Sequence, residues 1–233
     1  MRRLYLVAEG ETEEKLSKRL LGPHLLTHNV EVIPIVVETS RDERQRKRKG
    51  GGDWSKWRKE LQKVLGEHRG GEEVVTTWFD LYGLPRGFPG LDQFGQERDT
   101  VRRASELENA LAREFNAPQF IPNLQRHETE ALVFVDLDRL ELLLLDDPDA
   151  KAGLEALRTE VRGKNPEDID DGENTAPSKR LESRIPGYRK IIHGVPTIEA
   201  IGLGPLRARC PRFDAWVKRL ERLDPGQRDE QPA

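Results

Sequence analysis

The first half of the chain alternates short, unbroken apolar runs with stretches whose apolar residues recur at helical spacing, and this alternation restricts the fold more than any other feature. Residues 3–8 (RLYLVA) form the first run and lead through Glu9-Gly10-Glu11-Thr12 into a helix carrying Leu16, Leu20 and Leu21. Thr12 is read as the N-cap, with Glu13 and Glu14 in the first turn, where acids meet the positive end of the helix dipole. Residues 30–38 are continuous and β-branched, as in a strand covered on both faces, and residues 54–68 place Trp57, Leu61, Val64 and Leu65 on one helical face. Residues 73–79 form a third run that stops at Asp80, and a helix over 100–115 carries Val101, Ala104, Leu107 and Leu111 along one side. Strands separated by helices pair in parallel, because the helix supplies the crossover that returns the chain to the same edge. The expected fold class is therefore α/β, a parallel sheet flanked by helices. Right-handed crossovers bring successive strand ends to one edge. Glu9 and Asp80 then meet at the carboxyl edge, where open α/β sheets bind their ligands.

After Pro118 the pattern loses its regularity. An apolar block at 131–135 is followed by helical spacing over 137–145, 153–161, 178–185 and 207–223, the last with Phe213, Trp216, Val217 and Leu220 in a stripe. Residues 165–176 (NPEDIDDGENTA) read as a polar, acidic loop without a period. The expected organisation is one domain over 1–223, with a core to about 136, a more irregular α-rich elaboration over 137–223, and a tail at 224–233.

Hydrophobic and charged residues each make up 35% of the 233 positions, and mean hydropathy is −0.74. The apolar residues nevertheless cluster in blocks, which argues for a folded chain over a disordered one. No apolar run approaches the roughly 20 residues of a membrane span, and Glu9 and Glu11 interrupt the amino-terminal run too early for a signal peptide. The single Cys210 excludes an internal disulfide, and with no second Cys near any of the five His there is no zinc pattern. These features lead to an expected cytoplasmic location without membrane contact. The 39 bases and 42 acids nearly cancel, to a net charge of −3, which argues against a general polyanion binder. Residues 41–49 (RDERQRKRK) depart from that balance with six bases against two acids, as either a solvated loop or a local phosphate-facing patch.

Four clusters carry potential chemistry. Glu9-Gly10-Glu11-Thr12-Glu13-Glu14 packs four acids around one glycine. The helix dipole accounts for Glu13 and Glu14, but a carboxylate placed directly after a buried strand, as Glu9 is, is better explained by a divalent cation. Asp80 is either a turn cap or a second ligand across the neighbouring strand end. In Arg126-His127-Glu128-Thr129-Glu130, the two Glu share a face if the segment is extended and diverge if it is helical. In Thr175-Ala176-Pro177-Ser178-Lys179-Arg180, the Pro and Ser suit a helix start and the Lys is either a surface base or a stabiliser of phosphate charge.

Together with Phe79-Asp80-Leu81-Tyr82-Gly83, Ala131-Leu132, and Cys210-Pro211-Arg212-Phe213 with Trp216, these clusters resemble a bacterial Toprim-like family of unknown function related to the Toprim module of overcoming-lysogenization-defect (OLD) nucleases. The matching segments follow one another in order over nearly the whole chain. The resemblance implies a Toprim-like parallel sheet in which Glu9, Glu13 and Asp80 hold Mg2+ or Mn2+, Glu128 and Glu130 supply further ligands, and Lys179 stabilises transition-state charge. Glu9, Asp80 and Lys179 would then be catalytic. Tyr82 stands where Toprim proteins carry a second aspartate. The implied activity is that of a metal-dependent endonuclease in phage defence, acting on DNA or, alternatively, RNA, with a separate ATPase as partner. Arg44, Arg46, Lys47, Arg48, Lys49, Arg126 and Arg180 are the expected nucleic-acid contacts. The alternative is a non-catalytic module that binds metal or nucleic acid, or regulates that ATPase.

Overall fold

Strand β1 (Arg2–Ala8), buried from Leu4 to Ala8, lies between β2 (Val30–Val36) and β3 (Glu73–Asp80) in the computed structural model, which describes residues 1–37, 53–68, 73–144, 147–169 and 175–224. Both pairings are parallel, with Ala8 opposite Val36 on one side and Trp78 on the other. The connections are helical. After β1 come α1 (Glu11–Leu16), a π-helical turn at Ser17–Leu21, and α2 (Gly22–Leu26); α3 (Trp54–Glu67) precedes β3. Beyond β3 lie a 3-10 turn at Leu81–Gly83, α4 (Leu91–Phe94) and α5 (Thr100–Phe115), then the short strands β4 (Phe120–Ile121) and β5 (Leu124–Gln125). The strand order is β2-β1-β3-β4, with β5 also paired to β3, and every pairing is parallel, as the strand–helix alternation predicts.

Period-two alternation divides the apolar residues of β1 between two faces. Tyr5 and Val7 join Val75, Phe79, the α3 residues Trp57 and Leu61, and the α5 residues Ala104, Leu107 and Leu111 in one core. Leu4, Leu6 and Ala8 point the other way, on the side where α1 contacts β1 and α2 contacts β2. Leu16, Leu21 and Leu25 are fully buried. The helix after β1 begins one residue before the expected cap. Gly10 is the extended N-cap and Glu13 Oε2 accepts its amide at 3.0 Å, so Thr12 lies inside the first turn.

The chain divides into two compact units, Met1–Arg126 with Arg219–Ala233, and His127–Lys218. The first unit ends at Arg126 rather than near 136, and it takes back the carboxyl-terminal segment. The second unit is helical, in line with the expected α-rich region. It opens with a 3-10 helix, Thr129–Val135, and continues through α6 (Leu137–Glu141), α7 (Pro148–Val161), α8 (Pro177–Arg184), α9 (Val195–Ile201), α10 (Leu203–Arg209) and most of α11 (Pro211–Glu221). The acidic stretch expected to be a loop holds a 3-10 turn, Pro166–Asp168, in which Asn165 caps the Glu167 amide at 2.9 Å. Glu167 is 1% exposed and accepts the Arg212 and Phe213 amides at 3.0 Å, capping the start of α11. Among the described residues no helix is long and apolar enough to cross a membrane.

Candidate functional site

In the order β2-β1-β3, successive connections leave β1 in opposite directions, so the crevice at the carboxyl ends of β1 and β3 is the topological switch point of the sheet. The two acids singled out in the sequence stand there. Glu9 follows β1 and its amide donates to the Trp78 carbonyl at 3.3 Å, while Asp80 is the last residue of β3. They are tied directly: the Asp80 amide donates to Glu9 Oε2 at 3.1 Å. The other oxygen of Glu9 lies against Gly83, where a Cβ would sit 3.0 Å from Oε1. The carboxylate is therefore oriented from both sides, by a backbone donor and by a backbone approach that a side chain would obstruct. Glu13, 5% exposed, lies one turn into α1 with Oε2 on the Gly10 amide.

Strand β5 completes this edge. Its register places Gln125 opposite Asp80. Gln125 is 3% exposed, and its Nε2 has no hydrogen-bond partner among the described residues. The chain reaches this position because β4 and β5 leave the ladder between them, where buried threonines take over. Thr76 Oγ1 donates to the Ile121 carbonyl at 2.7 Å, and Thr77 Oγ1 both donates to the Asn123 carbonyl and accepts its amide at 2.8 Å. Arg126, an expected nucleic-acid contact, donates through Nε to Thr100 Oγ1 at 2.7 Å.

A hard oxygen donor set of this kind suits Mg2+ or Mn2+ rather than a softer ion, and Mg2+ is commonly held by one or two carboxylates with water and substrate phosphate completing its shell. Glu9, Asp80 and, behind them, Glu13 are the acids of this edge that could contribute to such a partial shell. They do not bring three donor atoms within 4.8 Å of one another, as a closed all-protein cage would require.

Glu128, Glu130, Lys179 and Arg180 lie in the second unit. Glu128 is the extended residue before the 3-10 helix, and its carboxylate caps α8, accepting the Ser178 amide at 2.8 Å and the Ser178 hydroxyl at 3.1 Å. Glu130, 2% exposed, is paired through Oε1 with Lys190 Nζ at 2.8 Å. Burial, together with this carboxylate and others nearby, pushes the Tyr188 phenol far up from its usual value. Lys179 pairs with Glu182 along α8. Arg180 is 8% exposed, pairs with Glu160 and donates through Nε to the Thr175 carbonyl at 2.6 Å. Burial, and secondarily the charge of Arg184, lower its pKa. Its guanidinium is thus largely enclosed within the second unit. Arg44, Arg46, Lys47, Arg48 and Lys49 lie outside the described residues.

Sequence reasoning assigned no site contact to Gly83, Gln125, Ser178 or Lys190. Gly83 carried a usable signal, a glycine shortly after a strand-ending acid, which marks a close backbone approach. The other three become partners only through register or tertiary packing. A family model described as a domain of unknown function, DUF4276, matches residues 8–221. No curated protein and no solved structure matches the chain.

Proposed function

The chain belongs to the DUF4276 family, and we propose that it is a divalent-metal-dependent phosphodiesterase of Toprim type that cleaves nucleic acid at the carboxyl edge of its sheet. The observation that carries this reading is the joining of Glu9 to Asp80 across the ends of β1 and β3, at the point where the strand order reverses. A bound Mg2+ or Mn2+ would neutralise charge on a phosphoryl oxygen and supply an acidified water. Glu9, fixed by the Asp80 amide and the Gly83 backbone, and Asp80 beside it would hold the ion, with Glu13 steadying the turn that carries Glu9. The buried Gln125 amide offers a donor to a phosphoryl oxygen entering beside Asp80. Glu128 and Glu130, which the resemblance assigns to a second ion, each have a structural partner in their own unit, so this edge alone carries the proposal. The choice of DNA, the defence setting and the ATPase partner rest on the resemblance.

Tyr82, 37% exposed in the turn after Asp80, favours a second reading, because it replaces the acid of a second ligand with a neutral ring. In that reading the edge holds one ion and binds a nucleic-acid end without cleaving it. Supercoiled plasmid incubated with the purified chain and Mg2+ or Mn2+ separates the two. The expected result is conversion to nicked circles by the natural sequence and none by Glu9→Gln or Asp80→Asn, both of which retain side-chain size. Equal nicking by the variants would remove these residues from the chemistry. Absence of nicking, with calorimetry showing ion binding that Asp80→Asn abolishes, would replace the nuclease by the binding module.

A further inference from the structure

The opposite edge of the first unit holds a cluster of different chemistry. β1 and β2 both start at the amino edge, where the Arg2 amide donates to the Asn29 carbonyl at 2.8 Å. Just before β2, His24 lies in α2 and His28 in the turn that follows it, four residues on and on the same helical side. Their ring centroids are 5.1 Å apart. Glu221, the last residue of α11 and part of the returning segment of this unit, meets both rings: its Oε1 is 2.7 Å from His24 Nε2 and 3.8 Å from His28 Nε2. One donor atom from each residue lies within 4.8 Å of the other two. Side-chain exposures of 27%, 28% and 15% leave the group reachable from solvent.

A hydrogen bond between helix segments would need only His24 and Glu221. The second imidazole is too far from the carboxylate oxygen for a hydrogen bond, yet it stands where a second ligand belongs. Tetrahedral zinc with bonds of about 2.0–2.1 Å sets neighbouring donor atoms about 3.3–3.4 Å apart, between the 2.7 and 3.8 Å found here. Two imidazoles and one carboxylate suit Zn2+, and they are too poor in oxygen for Ca2+ or Mg2+.

We propose that His24, His28 and Glu221 bind a single Zn2+ with a fourth position open to solvent, and that the ion fastens the returning carboxyl-terminal segment to the amino edge of the sheet. The Asn29 side chain supports the same closure, its Nδ2 donating to Asp224 Oδ1 at 3.2 Å. His24 and Glu221 are 197 residues apart in the chain, so no local spacing rule reveals the site, and the sequence reading of no zinc pattern rested on cysteine count alone. The site is also separate from the Glu9–Asp80 edge, since β1 spans about 20 Å from its first residue to its last.

Zinc titration with Mg2+ in large excess, so that the acidic edge is saturated, tests this independently of any cleavage. The expected result is one tight equivalent of Zn2+ and a rise in melting temperature on adding it. Co2+ in its place should give the intense visible absorption of a four-coordinate ion. His28→Gln, at the more exposed imidazole, and His24→Ala should each weaken zinc binding by more than the roughly 10–100-fold lost with an outer-shell partner, and should remove the zinc-dependent rise in melting temperature. Absence of a stoichiometric equivalent in the folded natural sequence would overturn the site, as would retention of its affinity in both variants.

Discussion

Gly83 and Glu9 compete for the same space, and the absence of a side chain at Gly83 decides how the carboxylate stands. An alanine there would put its Cβ 3.0 Å from Glu9 Oε1, tighter than ordinary packing, so the carboxylate must move by a few tenths of an ångström while the strands remain in place. Since a misplacement of about 1 Å can cost about 100-fold, Gly83→Ala is expected to slow metal-dependent nicking on the order of tenfold. Its melting temperature should stay within a degree or two of the natural sequence. A variant that nicks at the full rate would show that the orientation of Glu9 does not govern the reaction. At this scale the candidate site was half legible. Glu9 and Asp80 stood out because a carboxylate directly after a buried strand has few structural uses, and both lie at one edge as expected. Their supports did not stand out, because Gln125 meets Asp80 only through strand register. Ser178 meets Glu128 from 50 residues away, which gives the expected metal ligand a helix-capping contact that the sequence does not show.

Helix α7 shows how an element can reverse the meaning of a residue. Gly153 lies inside it, and in an isolated helix replacing glycine by alanine stabilises by roughly 0.5–1 kcal/mol. Here α7 packs on α8, and a Cβ at Gly153 would overlap the carbonyl oxygen of Arg184. Backbone cannot step aside as a side chain can, so Gly153→Ala is expected to destabilise by about 1–3 kcal/mol or more. A lowered denaturation midpoint in urea checks this, and a raised midpoint would mean that the two helices separate without cost. The same distinction explains which elements could be read in advance. β1, β3, α3 and α5 announce themselves because each buries a whole face, so the apolar pattern survives in the sequence. β2 is read from its β-branched run, although it is the edge strand and only Val30 of it is buried rather than both faces. β4 and β5 have two residues each and rely on the Thr76 and Thr77 hydroxyls for continuity, which leaves no period to detect. The π-helical turn at Lys190–Gly194 and α9 after it went unread for a related reason. Pro196 and nearby glycines suggest a break, although a proline in the first turn of a helix costs it no internal hydrogen bond.

For the molecule as a whole, the alternating first half was legible and the return of the chain was not. The helical stripe over 207–223 predicted α11, but nothing local says that Leu220, fully buried, belongs with the sheet unit while Phe213 belongs with the other. Charge has the same character, because its total conceals its distribution. With 39 bases against 42 acids, long-range attraction to a polyanion is weak, and affinity for nucleic acid must come from a local excess. Arg180 is largely enclosed, so the test falls on the run over 41–49. Each phosphate neutralised releases condensed counterions and steepens the fall of log Kobs with log salt by about 0.9 on a duplex. Replacing Arg44, Arg46, Lys47, Arg48 and Lys49 by serine should therefore flatten that slope by up to about 4.5. The metal-dependent step, measured at saturating DNA, should be unchanged, since the proposed chemistry is assigned to Glu9 and Asp80. Fluorescence anisotropy of a labelled duplex across a salt series measures the slope. An unaltered slope would assign the run to solvent and require the phosphate contacts to lie elsewhere. A flattened slope with an unaltered saturated rate would separate the surface that gathers the substrate from the edge that acts on it.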